Sequence, residues 1–345
     1  MVMKKAVNIR DVARRAGVSV ATASRALNDK RVVNPQTRAR ILTVIDELGF
    51  TPSHAARRLS LGRTLTAGVI VSFLTRPQAA ERLRGIDAVL ADKEFDLAIY
   101  NVESVEKRDH YLSTLTQSQR TDGLLVISLP PSAENAVALR ASPVPVVFID
   151  VHVPGIAEMP RVVGDDVAGG TLAARHLLQL GHRAIGFVGD AADDPFGFTS
   201  SRDRQAGLTR ELGSVGLSMR PEWIGLGEHG RYEARDLARR ILAKAHRPTA
   251  IFAASDTQAL GVIAAAHELG LRVPEDLSVV GYDDIEAADY VGLTTISQRL
   301  FESGRRGAEI LFGQIDSPSD PAPVARLSPE LVVRATTGPP KEGGP

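Results

Sequence analysis

Apolar positions recur at two different spacings along this chain. From Asn8 to Leu48 they fall at helical intervals: Ile9, Val12, Ala13 and Ala16, then Ala23, Ala26 and Leu27, then Ile41, Leu42, Ile45 and Leu48. Each set forms one face of a short helix. Asn8, with Asp11 three residues on, starts the first helix as a capping-box pair, and Gly17 breaks it. Ser19 caps the second helix, whose residues Val20, Ala21, Thr22, Ser24 and Arg25 are left to point outward. Asn34-Pro35 opens the third, and Gly49 closes it. Two helices joined by a tight turn and backed by a third predict a helix-turn-helix reader of DNA, with small side chains that can approach base edges.

From Ala67 the texture becomes short apolar runs alternating with helical stretches. AGVIVSF, DLAIYNV, DGLLVIS and VPVVFID read as strands, with helices over 79–92, 106–119 and 133–140 between them. A second series follows: a helix over 168–180, AIGFVGD, a helix over 201–212, WIGLG, a helix over 232–245, TAIFAAS, a helix over 257–269 and LSVVGYDD. The βαβ alternation predicts parallel sheets. Two halves of similar size predict a ligand cleft between them, at the carboxyl ends of the strands.

Charge changes the picture. Residues 1–63 carry thirteen Lys and Arg against four acids, a net of +9, so the remainder carries −9 within a neutral chain of 345 residues. A basic head on an acidic body is the asymmetry expected when only one domain meets nucleic acid. The absence of cysteine excludes disulfides, zinc–cysteine fingers and a thiol nucleophile. No stretch has the length of a membrane span and the N-terminus has no signal-peptide core, so the expected location is the cytoplasm, at the nucleoid when DNA is bound.

The patterns DVARRAGVSVATASRALN and GFTPSHAARRL, followed by HLLQLGHRAIGFVGD, SRDRQAGL, TAIFAASDTQALGVIAAAHELGLRVPEDLSVVGYDD, LTTISQ and ELVVRATTG, resemble the lactose/galactose-repressor family of bacterial transcription regulators from about Asn8 to Gly338. The resemblance implies an all-α helix-turn-helix domain over 1–50 and a hinge over 51–66. It also implies a two-lobed, periplasmic-binding-protein-like α/β effector domain, with the first lobe over 67–161 and 293–325, the second over 162–292 and 326–338, and a disordered tail over 339–345. DNA contacts are then expected from Ser19, Val20, Ala21, Thr22, Ser24, Arg25 and Asn28. In the hinge helix, Ala56, Arg57 and Leu59 would also contact DNA, with Leu59 as a minor-groove wedge. The resemblance places Arg204, Asp283, Asp150, Ser255, Asp256 and His229 around the effector. Where many relatives carry an aromatic pair after a proline, this chain has Pro77-Gln78-Ala79, which removes a stacking wall. The tail has no leucine heptads, so the expected assembly is a homodimer.

Competing motifs are weak. Gly225 to Gly230 satisfies G-x-G-x-x-G but lies deep in the second half, away from the first strand–helix turn where a dinucleotide fingerprint belongs. No phosphate loop or paired-histidine metal spacing is present, His182 reads as structural, and no cofactor or metal is called for. The expected function is a ligand-responsive DNA-binding regulator, most simply a repressor, that binds near-palindromic operator DNA and a sugar-like effector. A regulator responding to a nucleobase, a solute-binding protein and a sugar-metabolising enzyme are the alternatives.

Overall fold

The computed structural model of the chain describes residues 7–28, 33–50, 58, 61–117, 120–319 and 321–341. They fall into two compact units, Met1–Thr64 and Leu65–Pro345.

The first unit contains α1 (Ile9–Ala16), α2 (Val20–Asn28) and α3 (Pro35–Leu48). Asn8 Oδ1 accepts from the N–H groups of Arg10 and Asp11 while the Asp11 carboxylate accepts from Asn8 N–H, so the capping box is closed in both directions. Gly17 ends α1 and Gly49 ends α3, both in the left-handed conformation that glycine adopts without penalty. Val12, Ala16, Ala26, Ile41, Val44 and Ile45 form the core. The Arg38 guanidinium donates to the Ala26 carbonyl, tying α3 to α2.

The second unit is built on two six-stranded sheets. The first comprises β1 (Thr66–Ser72), β2 (Asp96–Val102), β3 (Gly123–Ile127), β4 (Val146–Ile149), β5 (Arg161–Val163) and β11 (Val324–Arg326), in the order β11-β5-β4-β3-β1-β2 and parallel throughout. The second comprises β6 (Ile185–Asp190), β7 (Ile224–Gly227), β8 (Ala250–Ala253), β9 (Ser278–Asp283), β10 (Thr294–Ser297) and β12 (Glu330–Val332), in the order β12-β10-β9-β8-β6-β7. It is parallel except for the antiparallel edge pair β10–β12.

The helices are α4 (Pro77–Ala91), α5 (Val105–Leu115), α6 (Ala133–Arg140), α7 (Asp166–Gln179), α8 (Ser200–Ser214), α9 (Arg231–Leu242), α10 (Asp256–Glu268), α11 (Glu286–Tyr290) and α12 (Leu300–Asp316). Helices lie on both faces, which is why the strands read as continuous apolar runs. In the first sheet Val69, Val71, Leu125, Ile127, Val147 and Ile149 pack with residues of α4 and α12, while Ile70, Leu124, Val126 and Phe148 pack with residues of α5 and α6.

Three short connections join the two halves. They follow β5, β10 and β11, so α12 packs on the first sheet although it comes late in the chain. The resemblance implied that residues 293–325 belong to the first lobe. Instead Thr294–Ser297 pairs with β9 in the second sheet, and the return to the first half begins after Ser297. Four-residue β10 carries no periodicity long enough to show this. The tail expected to be disordered from 339 also differs. Gly338 is hydrogen-bonded to Ser278 and Lys341 pairs with Asp276, which holds 339–341 on the second lobe. His182 is buried and bridges Thr249, Ser278 and the Gly338 carbonyl, a structural pin as its sequence context suggested.

Candidate functional site

In the first unit α2 presents its outer face to solvent. Ser19 Oγ accepts from Thr22 N–H at 3.0 Å, so the cap is real. The same oxygen lies 2.8 Å from Thr22 Oγ1, which engages the threonine hydroxyl locally. Val20, Ala21 and Arg25 are exposed, Thr22 and Ser24 half-buried, and Ala23 and Ala26 fully buried. The free face that could meet base edges is therefore narrower than the sequence suggested: Val20, Ala21 and Arg25, with Ser24 beside them. Ser19, at the head of α2, is exposed as well. Asn28 closes α2. The hinge residues Ala56, Arg57 and Leu59 lie outside the described residues.

In the second unit a cavity of about 90 Å³ opens between the two halves, at the carboxyl ends of both sheets. The first half contributes Ser72, Arg76, Gln78, Arg82, Ser128 and Asp150. The second contributes Asp190, Phe198, Ser200, Arg204, His229 and Asp283, and Gln298 stands on the connection between them. Strand ends place most of these groups. Asp150, Asp190 and Asp283 each follow or close an apolar run, where the strand stops and its last side chain turns into the cleft. Phe73, Ser128, Asp150, Asp283 and Asp284 all have positive φ without being glycine. Such strained backbone gathers at functional sites, where it aims a side chain that regular strand geometry would direct elsewhere.

Arg82 is buried and makes four hydrogen bonds. Its Nη2 donates to Asp150 at 2.7 Å and to Gln298 at 2.9 Å, its Nη1 to Ser128 and its Nε to Ser303. Burial pushes the Asp150 carboxyl up, but Arg82, Arg204, His152 and the Ser128 hydroxyl outweigh it and leave its pKa below the ordinary value. Arg204 donates from Nε to Asp166 at 2.7 Å and from Nη1 to the Ala254 carbonyl at 2.6 Å. Its guanidinium carbon lies 3.6 Å from the centroid of the Tyr282 ring, and Asp283 stands 3.8 Å away. Burial alone would lower its pKa, and the surrounding acids reverse that, so Arg204 stays charged. Asp283 joins the halves: it accepts from Gln78 Nε2 at 2.7 Å and from Gln298 Nε2 at 2.5 Å. Burial pushes its pKa up to about 6 against the pull of Arg204. The adjacent Asp284 turns the other way, to Arg334, as neighbouring residues at a strand end must.

Of the ligand residues expected from sequence, Asp150, Arg204, His229 and Asp283 meet in this cavity. Ser255 and Asp256 do not line it. Ser255 caps α10 and bonds Gln258, while fully buried Asp256 accepts from Ile285 N–H and Thr295 Oγ1. Their place after a strand resembled that of the cleft acids, but Ser255 caps the helix that begins at once, and the Asp256 carboxylate turns inward to Ile285 and Thr295. Trp223 is also away from the cavity, donating to the His246 carbonyl. Sequence reasoning missed Arg82, Gln298 and Asp190. A signal existed for two of them: Asp190 ends its apolar run as Asp150 ends its own, and Arg82 is a charge on the apolar stripe of α4. Among the described residues no group of three or more His, Asp or Glu could hold a metal ion, and no helix is long and apolar enough to cross a membrane.

Residues 8–53 match the family described as bacterial regulatory proteins, lacI family, and residues 174–337 match a periplasmic binding protein-like domain. The HTH-type transcriptional repressor PurR of Pasteurella multocida is 33% identical over 330 residues, 94% of this chain and 97% of its own. The chain belongs to the LacI family. PurR of Aliivibrio fischeri is 34% identical over 95% of this chain and 97% of its own. The crystal structure of the lac repressor dimer bound to operator and the anti-inducer ONPF superposes with a TM-score of 0.83 at 28% identity, covering 97% of this chain and all of that one (100%). A complex of the regulator CelR with cellobiose gives 0.70 at 27% identity, covering 96% and 99% of the two chains. This LacI-family member is a DNA-binding transcriptional repressor and not an enzyme.

Proposed function

We propose that this repressor binds a near-palindromic operator as a homodimer, reads each half-site with Val20, Ala21 and Arg25, and is controlled by a sugar or sugar derivative held in the cleft. It would act in the cytoplasm, at the nucleoid when operator is bound. The dimeric, operator-bound state of its lac repressor neighbour supports the first part. Two recognition helices related by a twofold axis demand symmetric DNA.

The observation that carries the ligand class is the lining of the cavity. Arginines, carboxylates, amides and hydroxyls converge there, and Phe198 is the one benzenoid ring among the described lining residues. Donors and acceptors in that mixture suit hydroxyl groups, each of which gives and takes a hydrogen bond. A flat base needs two walls, and Gln78 and Ala79 stand where a ring pair would supply one. Cellobiose in the CelR complex and ribose in the Enterococcus faecium neighbour (TM-score 0.69, 28% identity) are in keeping with this. A nucleobase is the second reading, favoured by the name PurR carried by relatives 33–34% identical.

At about 90 Å³ the cavity is smaller than the few hundred Å³ of a usual ligand site, so the effector enters by displacing the Gln78–Asp283 bridge and parting the halves. The test is thermal unfolding of the full-length protein against neutral sugars, sugar derivatives and nucleobases. A true effector at about 100 times its Kd stabilises by about 2.7 kcal/mol. Stabilisation by nucleobases alone would reverse the assignment.

A further inference from the structure

Hydrogen bonding around the cavity is nearly closed, and the exceptions share one chemistry. Asp150 accepts from Arg82 and Ser128, Asp190 from His229 and Gln258, and Asp283 from Gln78 and Gln298. Arg82 and Arg204 are each paired with a carboxylate at 2.7 Å. The third arginine of the lining, Arg76, is different. It lies on the loop between β1 and α4, with its guanidinium carbon 3.9 Å from the centroid of the Phe73 ring. Among the described residues it has no carboxylate in ion-pairing distance and no acceptor for its side-chain N–H groups. Asp190 and Asp194 act on it only at longer range.

Two further atoms of the lining are buried without a partner, Gln78 Oε1 and His229 Nε2. The first is an acceptor. The second is an acceptor as well when the ring is neutral, because His229 Nδ1 faces the Asp190 carboxylate at 3.1 Å, which can only accept, and so carries the proton. What the lining lacks is thus a negative charge for one stacked guanidinium and two hydroxyl hydrogens for an amide oxygen and a ring nitrogen.

Taking the sugar reading above as its basis, we propose that the effector is an anionic sugar derivative, a sugar acid or a sugar phosphate, whose carboxylate or phosphate is received by Arg76 and whose hydroxyls donate to Gln78 and His229. Stacking on Phe73 holds the guanidinium plane and leaves its N–H edge free for two oxygens, the geometry in which an arginine fork grips an oxyanion. A neutral sugar closed into the same cleft would strip water from Arg76 and return no charge, which is costly for a cation.

The experiment is isothermal titration of the full-length protein with matched sets: glucose against gluconate, glucuronate and glucose 6-phosphate, and galactose, fructose and ribose against their acids and phosphates. At least one anion is expected to bind tenfold or more tightly than its neutral parent, about 1.4 kcal/mol. The carboxylate and phosphate arms show which oxyanion it is. Arg76→Gln is expected to weaken that anion at least tenfold and erase the preference. Arg76→Lys, which keeps the charge and loses the fork, is expected to fall between. Equal or tighter binding of the neutral parents overturns the proposal while the sugar reading survives, as does an anion preference undiminished in Arg76→Gln. Binding of nucleobases and of no sugar in either form overturns the sugar reading itself and this proposal with it.

Discussion

Burial sets the behaviour of single acids here. Asp256 is fully buried, and burial, reinforced by nearby Asp283, pushes its pKa up to about 8 against the bonds from Thr295 and Ile285. Asp283 is raised to about 6. For a raised acid the folded protein holds a proton that the unfolded chain releases. The stability these groups contribute is therefore fully present at and below the unfolded pKa of about 4 and is lost as pH rises through the folded value. Denaturant unfolding between pH 5 and 8 is expected to show stability decreasing with pH from these two groups. Asp256→Asn, which cannot ionise, is expected to flatten that slope; an unchanged slope would mean that Asp256 binds no more proton in the folded chain than in the unfolded one. Asp150 and Asp283 were expected at the cleft from the family resemblance, and each does end an apolar run at a strand mouth that lines the cavity. Asp256 was misread because the chain gives no sign that its carboxylate turns inward to Thr295. Arg82 was legible only in hindsight, since a charge on an apolar stripe has as many structural explanations as functional ones.

At the scale of elements the alternation of runs was enough to place the main strands and most helices, and the caps at Asn8, Ser19 and Asn34 stand where the sequence set them. Short strands such as β5, β10, β11 and β12 escaped because three or four residues cannot display a period. Helix-to-helix approach escaped as well. On α4 and α12, a Cβ at Gly85 would strike the backbone of Phe301 and Arg305, and one at Gly304 would strike the backbone of Arg82. These two helices touch backbone to backbone, a relation between residues over two hundred positions apart that no local pattern encodes. Gly304→Ala is therefore expected to cost about 1–3 kcal/mol or more, because the struck atoms are main chain and cannot swing aside. Chemical denaturation checks it, and a loss below about 0.5 kcal/mol would mean that the pair has room to separate. In the first unit Ser19→Ala is expected to cost about 1 kcal/mol through the lost cap of α2. Operator binding measured beside unfolding separates that effect from a direct DNA contact.

For the whole molecule, chemistry is divided between a basic head and an acidic body with a cleft. A ligand can shift DNA affinity only if it favours one arrangement of the two halves over another, and such coupling is reciprocal. In the second unit the Gln78–Asp283–Gln298 bridge is a contact open to that choice, since it joins the halves across the space a ligand must enter. This much was foreseeable from two α/β series; the bridge was not, because Gln78 and Asp283 are far apart in sequence. The most direct measurement is fluorescence anisotropy of the full-length repressor on a near-palindromic operator obtained by selection, with and without the saturating effector found by thermal unfolding. Effector is expected to change operator Kd by about 5–150-fold. Operator is expected to change effector Kd by the same factor, and Asp283→Asn to diminish both together. Operator affinity that stays the same at saturating effector would contradict such coupling.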